Sequence, residues 1–242
     1  MRLQTGNRLF SRHAGPRHPD TASALDTLAM LDLAAGDTRA AARRLRRAVA
    51  VLEGWRRHPA ARPLLAQSLE RLGECLRDAG HYAEARTTLR RAVALHGRAH
   101  GLDSLERAVA LNRLGMCCKY AGWFAEGVRA YHAALAIASQ RAPDGELVKV
   151  LLHNLGGIEH ARDRFVEAER YARRGVDLRM RTDGPAHPAT ELDLGALAPV
   201  LLDLGRLDEA EAILRPLLAS FERRYRSEEH TSELQSHSDL VC

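Results

Sequence analysis

Histidine, cysteine and acidic side chains are the groups through which this chain could act as an enzyme or hold a metal, and their spacing argues against both. His96 and His100 stand one helical turn apart. A structural metal site, however, wants four converging ligands, and no such set accompanies the pair. The flanking Gly97 and Gly101 point to a helix end instead. Cys117 and Cys118 are adjacent, so on a helix their thiols diverge by about 100°; one is expected to pack and the other to be half exposed. Cys75 is expected to pack. Glu159-His160 lacks the second histidine that a zinc-protease helix needs. There is no Gly-x-Ser-x-Gly elbow and no glycine-rich phosphate loop. The expectation is a chain with no catalytic residue, no metal ligand and no cofactor.

Arginine offers a second kind of chemistry. The runs Arg43-Arg44-Leu45-Arg46-Arg47, Arg90-Arg91 and Arg173-Arg174 recur along the chain, and only Lys119 and Lys149 are lysines among 36 basic residues. Such runs could follow phosphates without reading sequence. Glu84, Glu126, Glu167, Glu169, Glu209 and Glu211 interrupt the same segments, so a solvated charged face is the plainer account and nucleic acid is the alternative. The net charge of +5 is too small to decide between them.

The elements that carry these residues are helices. Aromatic residues are 5% of 242, too few for a sandwich or barrel. Four cysteines do not make a secreted disulfide framework, and no N-terminal apolar signal or eighteen-residue apolar run is present. A cytoplasmic chain without a membrane partner is expected.

A period near 42 residues organises the sequence. The turns Gly36-Asp37, Gly80-His81, Gly122-Trp123, Asp163-Arg164 and Gly205-Arg206 are separated by 44, 42, 41 and 42 positions. Eight residues before each turn stands Leu28, Leu72, Leu114, Leu155 or Leu197, followed by Ala29, Gly73, Gly115, Gly156 or Ala198. Five residues after it comes Ala41, Ala85, Gly127, Ala168 or Ala210. Offsets of three, four and eight set these residues on one stripe of each of two helices, A before the turn and B after it. One hairpin cannot bury its own stripe, whereas stacked hairpins share a continuous core.

This pattern resembles tetratricopeptide repeats over residues 22–221. Its long period and the links Gly15-Pro16-Arg17-His18-Pro19-Asp20-Thr21 and Gly184-Pro185-Ala186-His187-Pro188-Ala189-Thr190 are similar to the kinesin light chain type. The resemblance implies an all-α fold, an α-solenoid of stacked antiparallel hairpins forming a right-handed superhelix. Five hairpins are expected, at about 22–56, 63–100, 105–141, 146–182 and 189–225. Pro199 and Pro216 depart from the pattern and should kink the fifth.

Both ends depart as well. Residues 1–21 read as the tail of a preceding repeat and a link. Residues 226–242 lose the apolar period, and their codons can be written as a sequencing-library adapter; they are expected to be a disordered artefact without contact to the body. The end hairpins should then expose apolar surface, and the array should be a fragment of a larger bacterial signalling or regulatory protein.

In repeats of this type helix A lines a concave face that holds a peptide or helix of a partner protein. Helix-A positions not needed for packing are Asp26, Met30, Glu70, Glu74, Arg77, Asp78, Asn112, Met116, Lys119, Tyr120, His153 and His160. Of these, Glu70, Glu74, Arg77, Asn112, Met116, Lys119, Tyr120, His153 and His160 are the candidate partner-binding residues. Asn112 and Asn154 resemble the asparagines that often precede the Leu-Gly pair in kinesin light chain type repeats. The lysine and asparagine arrangement by which some relatives clamp a terminal carboxylate is not reproduced. The expected function is a non-enzymatic protein-interaction scaffold, and the alternative is a basic nucleic-acid-binding repeat protein.

Overall fold

The computed structural model describes residues 15–238, with side chains through residue 224. Residues 3–13, expected to end a preceding helix, lie outside the described residues. The described residues form ten helices and no strand. In order they are α1 Pro19–Ala34, α2 Thr38–Gly54, α3 Ala61–Asp78, α4 Tyr82–His100 and α5 Leu105–Tyr120. They continue as α6 Phe124–Arg141, α7 Glu146–His160, α8 Phe165–Thr182, α9 Pro188–Asp203 and α10 Leu207–Ser238. Odd-numbered helices are the A members of five hairpins and even-numbered ones the B members, an all-α fold of the α-solenoid class.

The turn between A and B follows from backbone conformation. Gly36, Gly80, Gly122 and Gly205 have φ between 73° and 79°, a region costly for other residues, and Asp163 joins them at φ 58°. Each turn carries a six-to-one closing bond, such as His81 N donating to Leu76 O at 2.8 Å and Arg164 N donating to Glu159 O at 3.0 Å, the geometry that ends a helix on a left-handed residue. The two Gly-Pro-x-His-Pro links explain themselves as helix starts. His18 and His187 cap α1 and α9 by accepting from Asp20 N and Ala189 N, with Pro19 and Pro188 following, where a missing N–H costs nothing.

Small residues let A and B touch. A β-carbon added at Gly73 would fall 2.5 Å from Leu89 Cγ, and one at Gly115 would fall 2.5 Å from Tyr131 Cε1. At Gly156 the same atom would sit 3.4 Å from Ala168 O.

The chain divides into two compact units, residues 1–151 and 152–242. In the first, Leu25, Leu52, Leu65 and Leu69 are buried in one cluster that joins α1, α2, α3 and α4. There α1 packs on α3 and α3 on α5 with their backbones close, whereas among the described residues the backbones of α2 and α4, and of α4 and α6, stay apart. Backbones crowd on the A side and splay on the B side, so the A side of this unit is its concave face. In the second unit Val176, Leu197, Leu201 and Ala210 form the core that joins α8, α9 and α10.

Helices α9 and α10 run on through Pro199 and Pro216. Exposed apolar side chains occur in the first hairpin, at Met30 and Leu31, and in the last, at Leu207, Leu214, Leu218 and Phe221. The backbone of residues 226–238 continues α10. This stretch contains neither glycine nor proline, and its Glu, Leu and Gln sustain a helix already nucleated upstream. Its expected lack of contact with the body concerns side chains outside the described residues.

Candidate functional site

The helix-A stripe of the first unit splits into two environments. The first is a seam of ion pairs between hairpins. Glu70 of α3, only 8% exposed, lies 2.9 Å from His96 Nε2 of α4 and accepts from Arg113 Nε of α5. Arg113 also reaches Glu74. Burial raises the Glu74 carboxyl above its ordinary value, while Arg113 and then Arg77 pull it back. One hairpin earlier, Asp26 accepts from Ser68 Oγ at 3.0 Å and pairs with Arg71. Asn112 is buried and has a bonding partner. Glu70 and Glu74, taken from spacing as candidates to meet a partner, therefore join α3 to α5 through Arg113.

The second environment lies at the C-terminal end of the same stripe. Tyr120 is 61% exposed. Lys119 is half-buried, makes no ion pair among the described residues, and its ammonium is pushed below the usual lysine value by burial alone. Met116 is half-buried beside Arg77, whose Nη1 is 3.8 Å from its sulfur. Arg77 pairs with exposed Asp78 at 2.7 Å. Met30 of α1, at the register of Glu74 and Met116, is 43% exposed. Sulfur, aromatic and cationic surface thus gathers on α3 and α5.

In the second unit the candidate histidines are each tied to an acid. His153 Nδ1 is 2.7 Å from Asp193 of α9, and buried Asp193 also accepts from Arg179 Nε of α8 at 2.7 Å. His160 Nε2 is 2.6 Å from Asp203, with the Phe165 ring 5.6 Å from its own. The spacing placed these histidines on the A stripe but did not pair them. The signal was present in the sequence, since an acid stands 40 or 43 positions on, close to one repeat later.

The arginine runs form a second ladder, on the B helices. Arg46 of α2 pairs with Glu84 of α4 at 3.2 Å, and Arg90 of α4 with Glu126 of α6 at 2.7 Å. Arg91 returns to Glu53, while in the second unit Arg173 pairs with Glu209 and Arg206 with Glu169. Glu84, Glu126, Glu169 and Glu209, four of the acids that interrupt these helices, are thus counter-ions to arginines of a neighbouring hairpin, whereas Glu167 and Glu211 pair with Arg164 and Arg215 of their own.

Cys75, Cys117 and Cys118 are all buried. Burial, its largest cause, pushes the Cys75 thiol to about 11 and the Cys118 thiol to about 12, and it raises Cys117 as well. The expected half-exposed thiol of the Cys117-Cys118 pair is corrected: α5 has neighbours on both sides, and Cys117 Sγ meets Tyr82 O of α4 at 3.6 Å. Among the described residues no group of three histidine, cysteine or acidic side chains is placed to hold a metal ion.

Residues 64–140 and 147–223, more than half of the chain, match the family model described as tetratricopeptide repeat. No curated protein matches the sequence. Among solved structures, the chain is similar to the nearly identical TPR-like repeats from Podosopora anserina, described as of kinesin light chain type. The TM-score is 0.76 at 20% identity, over 86% of this chain and 98% of that one. BtubC (BKLC) from P. vanneervenii aligns with TM-score 0.76 at 20% identity, over 93% and 89% of the two chains. Aspartyl phosphate phosphatase F from Bacillus subtilis aligns with TM-score 0.71 at 12% identity, over 90% of this chain and 55% of that one. At these identities the likeness is one of fold.

Proposed function

The chain belongs to the tetratricopeptide repeat family, and on that footing we propose that it is a non-enzymatic scaffold holding a peptide or helix of a partner protein on the concave side of its first unit. One observation carries the reading. Lys119 and Tyr120 sit on the same stripe as the ion-paired seam, yet Lys119 has no counter-ion among the described residues and Tyr120 stands in solvent. A half-buried cation without a partner opposes folding unless something else uses it. Beside Met116 and Arg77 it suits a peptide with an apolar side chain and a carboxylate. Because an aspartyl phosphate phosphatase shares the fold, the fold alone does not decide against catalysis; the inert thiols and acid-bound histidines support the non-catalytic reading. The B-helix ladder weighs against the nucleic-acid alternative, since arginines already matched by carboxylates have less to offer a phosphate backbone.

In this proposal the array is the interaction part of a larger bacterial signalling or regulatory protein acting in the cytoplasm, supported by the repeat resemblance. No described helix is long and apolar enough to cross a membrane. The test is a phage-display selection on the full chain, followed by titration of the selected peptides into the double variant Lys119→Ala, Tyr120→Ala. Loss of at least tenfold in affinity with an unchanged melting curve is expected. Peptides that bind the double variant as well as the parent would place the site elsewhere.

A further inference from the structure

The junction of the first two hairpins holds a cavity lined by five arginines. It has a volume of about 680 Å³ and lies among the end of α2, the start of α3 and one stripe of α4. Arg56, Arg57, Arg62, Arg91 and Arg98 line it, with Glu53 as the one acid. Leu65, Ala94 and Leu95 supply its apolar wall. Arg91 and Arg98 stand seven positions apart on α4, two turns of one stripe, so both face the same space. Arg56 and Arg57 come from the connector between α2 and α3, which is longer than the four-residue connectors before α5 and α7. That connector also forms the wall of an adjoining cavity of about 570 Å³ that includes Trp55 and His58.

Three of the five guanidiniums here are unmatched among the described residues. Glu53 is already engaged by Arg91, and its backbone carbonyl accepts from Arg56 at 3.4 Å. The guanidiniums of Arg57, Arg62 and Arg98 have no hydrogen bond or ion pair among the described residues. Arg46, Arg90 and Arg173 on the B helices, by contrast, each meet a carboxylate of the next hairpin. Like charges gathered around one cleft repel each other, and an anion entering the cleft would relieve that repulsion. Guanidinium forks present paired N–H donors that match phosphate oxygens. The volume falls in the range of small-molecule sites.

We infer that this cavity is a binding site for a small, multiply phosphorylated molecule, held by Arg57, Arg62 and Arg98 and screened from the A-side patch by α3. The chemistry is shared by nucleoside polyphosphates and by polyol phosphates, and the test separates them. Inorganic tripolyphosphate, ATP and inositol hexakisphosphate are each titrated calorimetrically into the full chain at low and at physiological salt, with a single-stranded oligonucleotide series alongside. Saturable one-site binding of tripolyphosphate is expected, weakening as salt rises. Tighter binding of ATP would assign a nucleotide and tighter binding of inositol hexakisphosphate a polyol phosphate. The triple variant Arg57→Ala, Arg62→Ala, Arg98→Ala should lose at least tenfold in affinity. Arg170→Ala, Arg174→Ala, which removes two exposed arginines of α8, should bind as the parent does. Circular dichroism confirms that each variant keeps its helices. The proposal is overturned by the absence of saturable binding, by equal loss in both variants, or by oligonucleotide affinity that exceeds all three small probes and grows with length.

Discussion

Two regions of α3 and α5 share the same register and have opposite characters. In the seam, Glu70, Glu74 and Arg113 meet one another and His96, largely out of solvent. One to two turns further along the same helices, Lys119 and Tyr120 meet no counter-charge. One helical stripe thus produces an internal fastening in one place and an open surface in the other. The deciding factor is whether the adjoining hairpin places an opposite charge within reach. A polar residue on the inner stripe of a repeat array is therefore not, by its position alone, a ligand-binding residue.

The largest effect that could break this comparison is at Glu70. Replacing it by Ala leaves His96 and Arg113 facing a buried gap, and removal of one partner from a buried pair costs about 3 kcal/mol. Urea denaturation of the variant should show that loss. If Glu70→Ala left stability unchanged and abolished peptide binding, the seam would be part of the binding face and the contrast would fail. A smaller effect is expected at Gly115→Ala, whose new β-carbon would fall 2.5 Å from the Tyr131 ring. Overpacking of this kind costs about 2 kcal/mol, measurable as a lowered denaturation midpoint. Since Gly115 lies under the patch and not in it, peptide affinity should hold wherever the variant is folded.

The hairpins were legible in the sequence because their causes are local. A left-handed turn needs Gly or a small polar residue, which is why Gly36, Gly80, Gly122, Asp163 and Gly205 mark five chain reversals. Close helix contact needs small residues, which is why Gly73, Gly115 and Gly156 mark the crossings. The charge partners were not legible from single positions. Glu70 and Lys119 look alike on a helical wheel, and only the 43-residue step from Glu70 to Arg113 distinguishes them. The cavity arginines eluded the repeat pattern for another reason. Arg56, Arg57 and Arg62 belong to a connector and a helix start, where the period carries no information. The Cys117-Cys118 pair was misjudged because α5 was treated as having one packed face when its neighbours α3, α4 and α6 cover more of it.

Lys119 sharpens the comparison from the other side. Burial depresses its folded-state pKa below the unfolded value. The unfolded chain therefore binds more protons across the window between the two values, and stability should rise as pH climbs through that window toward about 10.4. Below that window the ammonium is charged in both states, and its partial burial is a cost. Lys119→Met should accordingly raise the melting temperature by about 1 °C at pH 7, with the advantage over the parent shrinking by pH 10. The same variant should bind selected peptides more weakly, the trade expected where a charge serves a partner and not the fold. A lowered melting temperature would instead give Lys119 a structural role and move it into the seam.

The smallest effect belongs to the outer ladder, and it tests whether all inter-hairpin ion pairs are equivalent. Arg90 is more than half exposed and reaches Glu126 at 2.7 Å, while Arg86 lies 3.9 Å from the same carboxylate and stacks on Trp123. Exposed pairs are screened by water and salt, and each costs side-chain entropy to hold, so their coupling is about 0.2–1 kcal/mol. With Arg86 in place, Arg90→Ala leaves Glu126 a partner and should cost no more than that. A double-mutant cycle on Arg90 and Glu126, followed by urea denaturation at low and high salt, would measure the coupling directly. A coupling as large as the loss at Glu70 would mean that the splayed B helices depend on charge for their stacking. The small coupling expected here leaves the stacking to the buried leucines, alanines and seam of the A side, with the ladder neutralising the arginines that flank it.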